Sequence, residues 1–94
     1  MDADIRVVEK PELHRFELPI EDSVAVVYYR LDGDRLVLTH TEVPQEYSGQ
    51  GIGSRLAKGV FDILRKTGRK AVVKCPFLTA WLARHRDYSD VVVG

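Results

Sequence analysis

The hydrophobic period of this chain changes at Ile52, and that change constrains the fold more than any other feature. Before it apolar residues alternate; after it they recur every three or four positions. "IRVVE" (5–9) reads as a short strand, and "HRFELPI" (14–20) puts Phe16, Leu18 and Ile20 on one face. "DSVAVVYYRL" (22–31) is rich in Val and Tyr, and Asp32-Gly33 is a strong hairpin signal before "DRLVLTHTEV" (34–43), which Pro44 ends. The first half is therefore an antiparallel meander. From Ile52, the residues Leu56, Val60, Ile63 and Leu64 continue an amphipathic helix to Thr67, with Arg55, Lys58, Asp62, Arg65 and Lys66 on its other side. Gly68 supplies the stop, and Arg65 and Lys66 suit the negative end of the helix dipole. "KAVVKC" (70–75) is a strand, and Pro76 opens a second helix whose buried stripe is Phe77, Leu78, Trp81, Leu82 and His85. "DVVV" (90–93) is a candidate for a last strand. The fold class is α+β: a meander followed by helix, strand, helix. If strands 35–43 and 70–75 are neighbours, the helix between them makes them parallel.

Ninety-four residues with 45% hydrophobic content suit one domain over 1–94. The opening Met1-Asp2-Ala3-Asp4 lacks a basic region and an apolar core, and no apolar run approaches the roughly 20 residues that span a bilayer. The expectation is a cytoplasmic protein with no membrane partner. One cysteine and three scattered histidines lack the spacing of a metal site. Net charge is zero, but residues 1–50 carry five basic side chains against eleven acidic ones, and residues 51–94 carry nine against three. An anionic ligand would favour the second half and a cationic one the first, unless folding mixes the charges. The overall balance disfavours a general nucleic-acid binder.

"EYSGQGIGSRL" (46–56) holds Gly49, Gly51 and Gly53 on alternate positions at the start of the first helix. Bare backbone there leaves N–H groups free at the positive end of the dipole, which is what a phosphate or pyrophosphate needs, and Ser54 and Arg55 add a hydroxyl and a charge. The alternative is a tight turn whose glycines only permit unusual dihedrals. Ser54-Arg55 is not the Lys-Ser/Thr of a P-loop, and a dinucleotide fingerprint would follow the first strand of a βαβ unit rather than a meander.

"YSGQGIGSRLAKGVFDILRKTG" resembles the acyl-CoA-binding motif of the GNAT superfamily of N-acyltransferases, Gln/Arg-x-x-Gly-x-Gly/Ala, through Gly49-Gln50-Gly51-Ile52-Gly53. Ser48 stands where that motif opens with Gln or Arg. Together, "THTEVPQEYSGQGIGSRL" and "CPFLTAWLARHRDY" are similar to the small stand-alone YjdJ-type GNAT-like domains over roughly residues 5–93. The resemblance implies a minimal GNAT-like fold: a mixed central sheet with a splayed parallel pair, between whose strands acetyl-CoA inserts. It implies a backbone donor for the thioester carbonyl at the end of strand 35–43, near Glu42 and Val43. The chain has no room for the two helices that typical members place between their first strands, so the implied cleft is open. Many members use a tyrosine midway along the last helix as an acid; Tyr88 comes about a turn too late for that role and is expected to pack beneath the helix.

The expected cofactor-binding residues are Val43, Gly49, Gln50, Gly51, Ile52, Gly53, Ser54 and Arg55. The cations Lys58, Arg65, Lys66, Arg69 and Lys70 could meet CoA phosphates or form a solvated face. Cys75 ends a strand just before Pro76 starts a helix, where the dipole and Lys74 favour thiolate. It could take the acyl group, pack inertly, or line the pocket. His40, placed by alternation on a face with Leu36, Leu38 and Glu42, is a candidate general base or a structural histidine of a half-buried sheet. His14 and His85 are weaker candidates. The leading expectation is an N-acyltransferase using acetyl-CoA on an amine or protein lysine. The alternatives are an acyl-CoA-binding module without efficient catalysis, and a protein-interaction domain using a sheet edge.

Overall fold

A computed structural model describes residues 6–47, 49 and 51–93. In chain order the elements are β1 (Val8–Lys10), β2 (Arg15–Ile20), β3 (Ser23–Asp32), β4 (Arg35–Glu42), α1 (Ile52–Thr67), β5 (Lys70–Val73) and α2 (Pro76–Arg84). Short 3₁₀ turns at Pro11–Leu13, Gln45–Tyr47 and Arg86–Val91 complete them. The strands form one sheet in the order β1-β2-β3-β4-β5. The first three pairings are antiparallel, and β4 and β5 are parallel neighbours joined through α1. The predicted mixed sheet is therefore present. Strand β1 begins three residues after the predicted start, at Val8, and Ile5 lies outside the described residues.

Alternation in β2 buries Phe16, Leu18 and Ile20 as expected. These residues, with Ala25, Val27 and Tyr29 of β3 and Leu36 and Leu38 of β4, meet Leu56, Val60, Phe61 and Leu64 of α1 and Leu78 and Trp81 of α2 in one core. Each such side chain removed from water contributes on the order of 1.5–3 kcal/mol, offset by the entropy of ordering it. Gly68, in the left-handed region at φ 72°, closes α1: its N–H donates to the Arg65 carbonyl, and that of Arg69 to Leu64.

Four local expectations are corrected. The β3–β4 turn is centred on Gly33-Asp34, because Asp32 pairs with Arg35; Gly33 takes the first central position at φ 63°, which a side chain would resist. Residues 90–93 form no full strand: the 3₁₀ turn runs to Val91, and a single parallel bridge joins Val92 to Ala71. Phe77, placed in the buried stripe of α2, is 40% exposed, while Leu78 and Trp81 are buried and Leu82 and His85 half-buried. The fourth concerns His40. Tyr29 pairs with Leu38 and Tyr28 with His40, so Thr39 is an extra residue in β4, its hydroxyl donating to the Tyr28 carbonyl. A bulge of this kind reverses the alternation beyond it. Thr41, paired with Val27, then shares the core face, and His40 and Glu42 go to the outer one. His40 is 61% exposed, stacks on Tyr28 and lies 3.1 Å from Glu42 Oε2.

Candidate functional site

The parallel pairing of β4 and β5 runs from Arg35 with Lys70 to Leu38 with Val73, and the Lys74 N–H donates to the Leu38 carbonyl at 2.9 Å. There the strands part. Beyond the bulge at Thr39, β4 continues alongside β3, whereas Cys75-Pro76 turns the chain after β5 into α2. Residues 39–43 therefore have no strand partner on their β5 side among the described residues, and backbone groups there are available to a ligand. Across the gap, Thr41 Oγ1 lies 3.3 Å from Cys75 Sγ.

A pocket of about 330 Å³ opens at this parting. Thr41 and Val43 line it from β4 and its continuation, Tyr47 from the following 3₁₀ turn, Gly49, Gly51, Ile52 and Gly53 from the start of α1, and Phe77 from the first turn of α2. The lining is mostly apolar. The start of α1 supplies polarity: Gly51 at its N-cap adopts φ 77° and no side chain caps the helix. The first N–H groups of a helix have no acceptor within it, and the positive end of the dipole favours an anion there. Gly49 and Gly51 lie in the left-handed region, at φ 82° and 77°, with open space where a Cβ would stand, so conformation requires glycine at both.

Of the expected cofactor-binding residues, the fold brings Val43, Gly49, Gly51, Ile52 and Gly53 together on the pocket. Gln50, like Ser48, lies outside the described residues. Ser54 does not line the pocket; its Oγ accepts a hydrogen bond from Trp81 Nε1 at 2.8 Å and ties α1 to α2. Arg55 faces a separate depression of about 210 Å³ with Arg6 and Lys58. Cys75 is 4% exposed, one contact behind Thr41 rather than in the pocket wall. His40, on the outer face, is not among the lining residues. Tyr88 is buried as expected, with its hydroxyl donating to Asp62 Oδ1 and Arg65 over its ring.

Thr41, Tyr47 and Phe77 are pocket residues that sequence reasoning missed. Tyr47 and Phe77 adjoin stretches already singled out, the glycines and Cys75, but Thr41 reaches the pocket only because of the bulge. The Tyr47 hydroxyl donates to Glu21 Oε1 at 3.1 Å. Desolvation of the phenol, then this bond and the charges of Glu21, Asp22 and Glu46, push its pKa above the ordinary tyrosine value. Tyr47 is accordingly neutral at physiological pH. The arrangement is a short apolar trough with an uncapped helix start at one end and parted strands at the other.

Comparison with known proteins bears on what occupies such a trough. A profile of the family described as GCN5-related N-acetyltransferase matches residues 15–91. Protein NATD1 of Gallus gallus is 39% identical over 59 residues, covering 62% of this chain and 54% of the relative. In that match the chain spans about half the relative's length. Protein NATD1 of Danio rerio is 32% identical over 94 residues, covering 95% of this chain and 86% of the relative. A Staphylococcus aureus protein whose solution structure is described as GCN5-like superposes with a TM-score of 0.72 at 26% identity, over 98% of this chain and 91% of its own. Because the profile match runs from β2 to Val91 and takes in every segment that lines the pocket, the chain belongs to the GCN5-related N-acetyltransferase family.

Proposed function

We propose that this chain binds acetyl-CoA in the pocket at the β4–β5 parting and transfers the acetyl group to an amine, either a small primary amine or a protein lysine. Acyl transfer is the general chemistry of the family. The observation that carries the finer reading is that one pocket joins the uncapped start of α1 to the gap between two parallel strands. The helix start suits the CoA pyrophosphate, the apolar lining suits the flexible arm, and the unpaired backbone of β4 suits the thioester carbonyl. In the transfer the amine nitrogen bonds to the acyl carbon as the carbon–sulfur bond breaks. CoA leaves as the thiol, taking up a proton equivalent to the one the amine loses.

The described residues that line the pocket include no carboxylate and no imidazole. Direct attack by an amine already deprotonated by solvent is therefore the simplest route. Cys75 offers a second, favoured by its 3.3 Å contact with Thr41, which itself lines the pocket. The thiol would displace CoA to form a cysteinyl thioester, and the amine would then displace the cysteine.

Calorimetric titration with acetyl-CoA tests the binding, and absence of any heat or thermal shift would sink it. A panel of amines scored by CoA release separates a transferase from a binding module that does not turn over. Intact-mass analysis after incubation with acetyl-CoA decides between the routes: one added acetyl group, lost in Cys75→Ala, supports the covalent path. An unlabelled protein that still turns over leaves direct attack.

A further inference from the structure

Gly53 differs from the two glycines before it. It is helical, and a Cβ built on it would lie 2.7 Å from Phe77 Cζ and 3.4 Å from both Cε atoms. The Phe77 ring thus rests on bare helix backbone where α1 begins. On the same turn of α2, Leu78 is fully buried, whereas Phe77 remains 40% exposed on the pocket. An aromatic ring held half in water forgoes burial that packing elsewhere would provide. Its position gives it another use. Phe77 follows Cys75 by two residues and so leaves the point where β4 and β5 part, the place where the acyl carbon of a bound donor would lie. Around that point Leu38 and Cys75 are packed in the core, while the ring of Phe77 is half-exposed on the pocket.

We propose that Phe77 sets the size of the acyl group that the pocket accepts, and that Gly53 serves it by giving the ring a seat rather than by baring backbone to a phosphate. This rests on the reading that the pocket holds acyl-CoA. With the ring seated, a short acyl group fits beside it and a long one meets its face. An added methyl at position 53 displaces the far end of a flexible side chain, so the fold tolerates it and the ring tips into the pocket.

The test is calorimetric titration of wild type, Phe77→Ala, Gly53→Ala and the double variant with acetyl-CoA and hexanoyl-CoA, with melting temperatures recorded. Phe77→Ala is expected to raise the affinity for hexanoyl-CoA relative to acetyl-CoA about tenfold. Gly53→Ala is expected to weaken acetyl-CoA binding about fivefold or more, and the double variant to recover wild-type affinity to within about twofold. Phe77→Leu, a smaller change, is expected to shift the preference the same way and replaces Phe77→Ala if that variant does not fold. An unchanged ratio in the Phe77 variants overturns the selectivity role. A Gly53→Ala loss that persists in the double variant overturns the seat and returns Gly53 to the phosphate. A wild type that binds neither donor overturns the acyl-CoA reading itself, and the proposal with it.

Discussion

Glu9 ties the first strand to the far end of α1. Its carboxylate accepts Arg69 at 2.7 and 3.1 Å and the Tyr29 hydroxyl at 2.8 Å. The hydrogen bond from Arg69 holds Glu9 below the usual carboxylate range despite partial burial, while burial and the Glu9 carboxylate push Tyr29 up to about 12. A carboxylate with a depressed folded-state pKa contributes stability that is present above its unfolded value, near 4.5, and lost as pH falls through the folded value. Wild type is therefore expected to lose melting temperature on acidification below about pH 4.5, and Arg69→Met to lose less over the same range. At pH 7 that substitution is expected to cost about 1–2 kcal/mol, some 4–16 °C in a chain of this size. Thermal melts across pH 3–7 check both. His40 bears on the chemistry. Exposed on the outer face beside Glu42, it is expected to be dispensable: His40→Gln should leave kcat/KM within about twofold, and the rate should climb about tenfold per pH unit until the acceptor amine is deprotonated. A fall in kcat/KM of about tenfold or more in His40→Gln would restore it as a base.

The facing of strand β4 in the site depends on how one residue, Thr39, is accommodated. Up to Leu38 its alternation reads correctly from the sequence, and past Thr39 every side chain is reversed. Whether a strand bulges depends on how its residues are counted off against the partner strand, and no local pattern in "LVLTHTEV" records that count. Deleting Thr39 removes the bulge but keeps the register beyond it, Leu38 with Tyr29, His40 with Tyr28 and Thr41 with Val27, so His40 still faces outward and Thr41 still faces the pocket. The deletion is therefore expected to leave acetyl-CoA binding in place, as read by calorimetry; abolished binding in a variant that still melts cooperatively would show that the pocket needs the bulge itself and not only the facing of Thr41. The helices contrast with this strand. The three-to-four spacing of Leu56, Val60 and Leu64 and the stop at Gly68 are properties of α1 alone, so its bounds of Ile52–Thr67 were readable directly. In α2 the stripe was right for Leu78 and Trp81 and wrong for Phe77, which lies in the first turn, where the facing surface is a glycine and a pocket rather than a core.

Among the described residues, most ion pairs stay within the acidic first half or the basic second half. Arg15–Glu17 and His40–Glu42 lie within the first, Lys58–Asp62 and Arg65–Asp90 within the second, and Glu9–Arg69 joins them. The pocket crosses the same divide, drawing Thr41, Val43, Tyr47 and Gly49 from one half and Gly51, Ile52, Gly53 and Phe77 from the other. Periodicity, turn residues and the alternating glycines determined by themselves the order of strands and helices, the amphipathic face of α1 and the bare backbone at its start. All of these arise from neighbours along the chain. Only the tertiary structure decided that Thr41 faces the pocket and His40 the solvent, that Cys75 stands behind Thr41, and that Gly53 carries a ring. Each of those depends on a contact between segments distant in sequence: β3 against β4, the end of β4 against the residue after β5, and the first turn of α2 against that of α1.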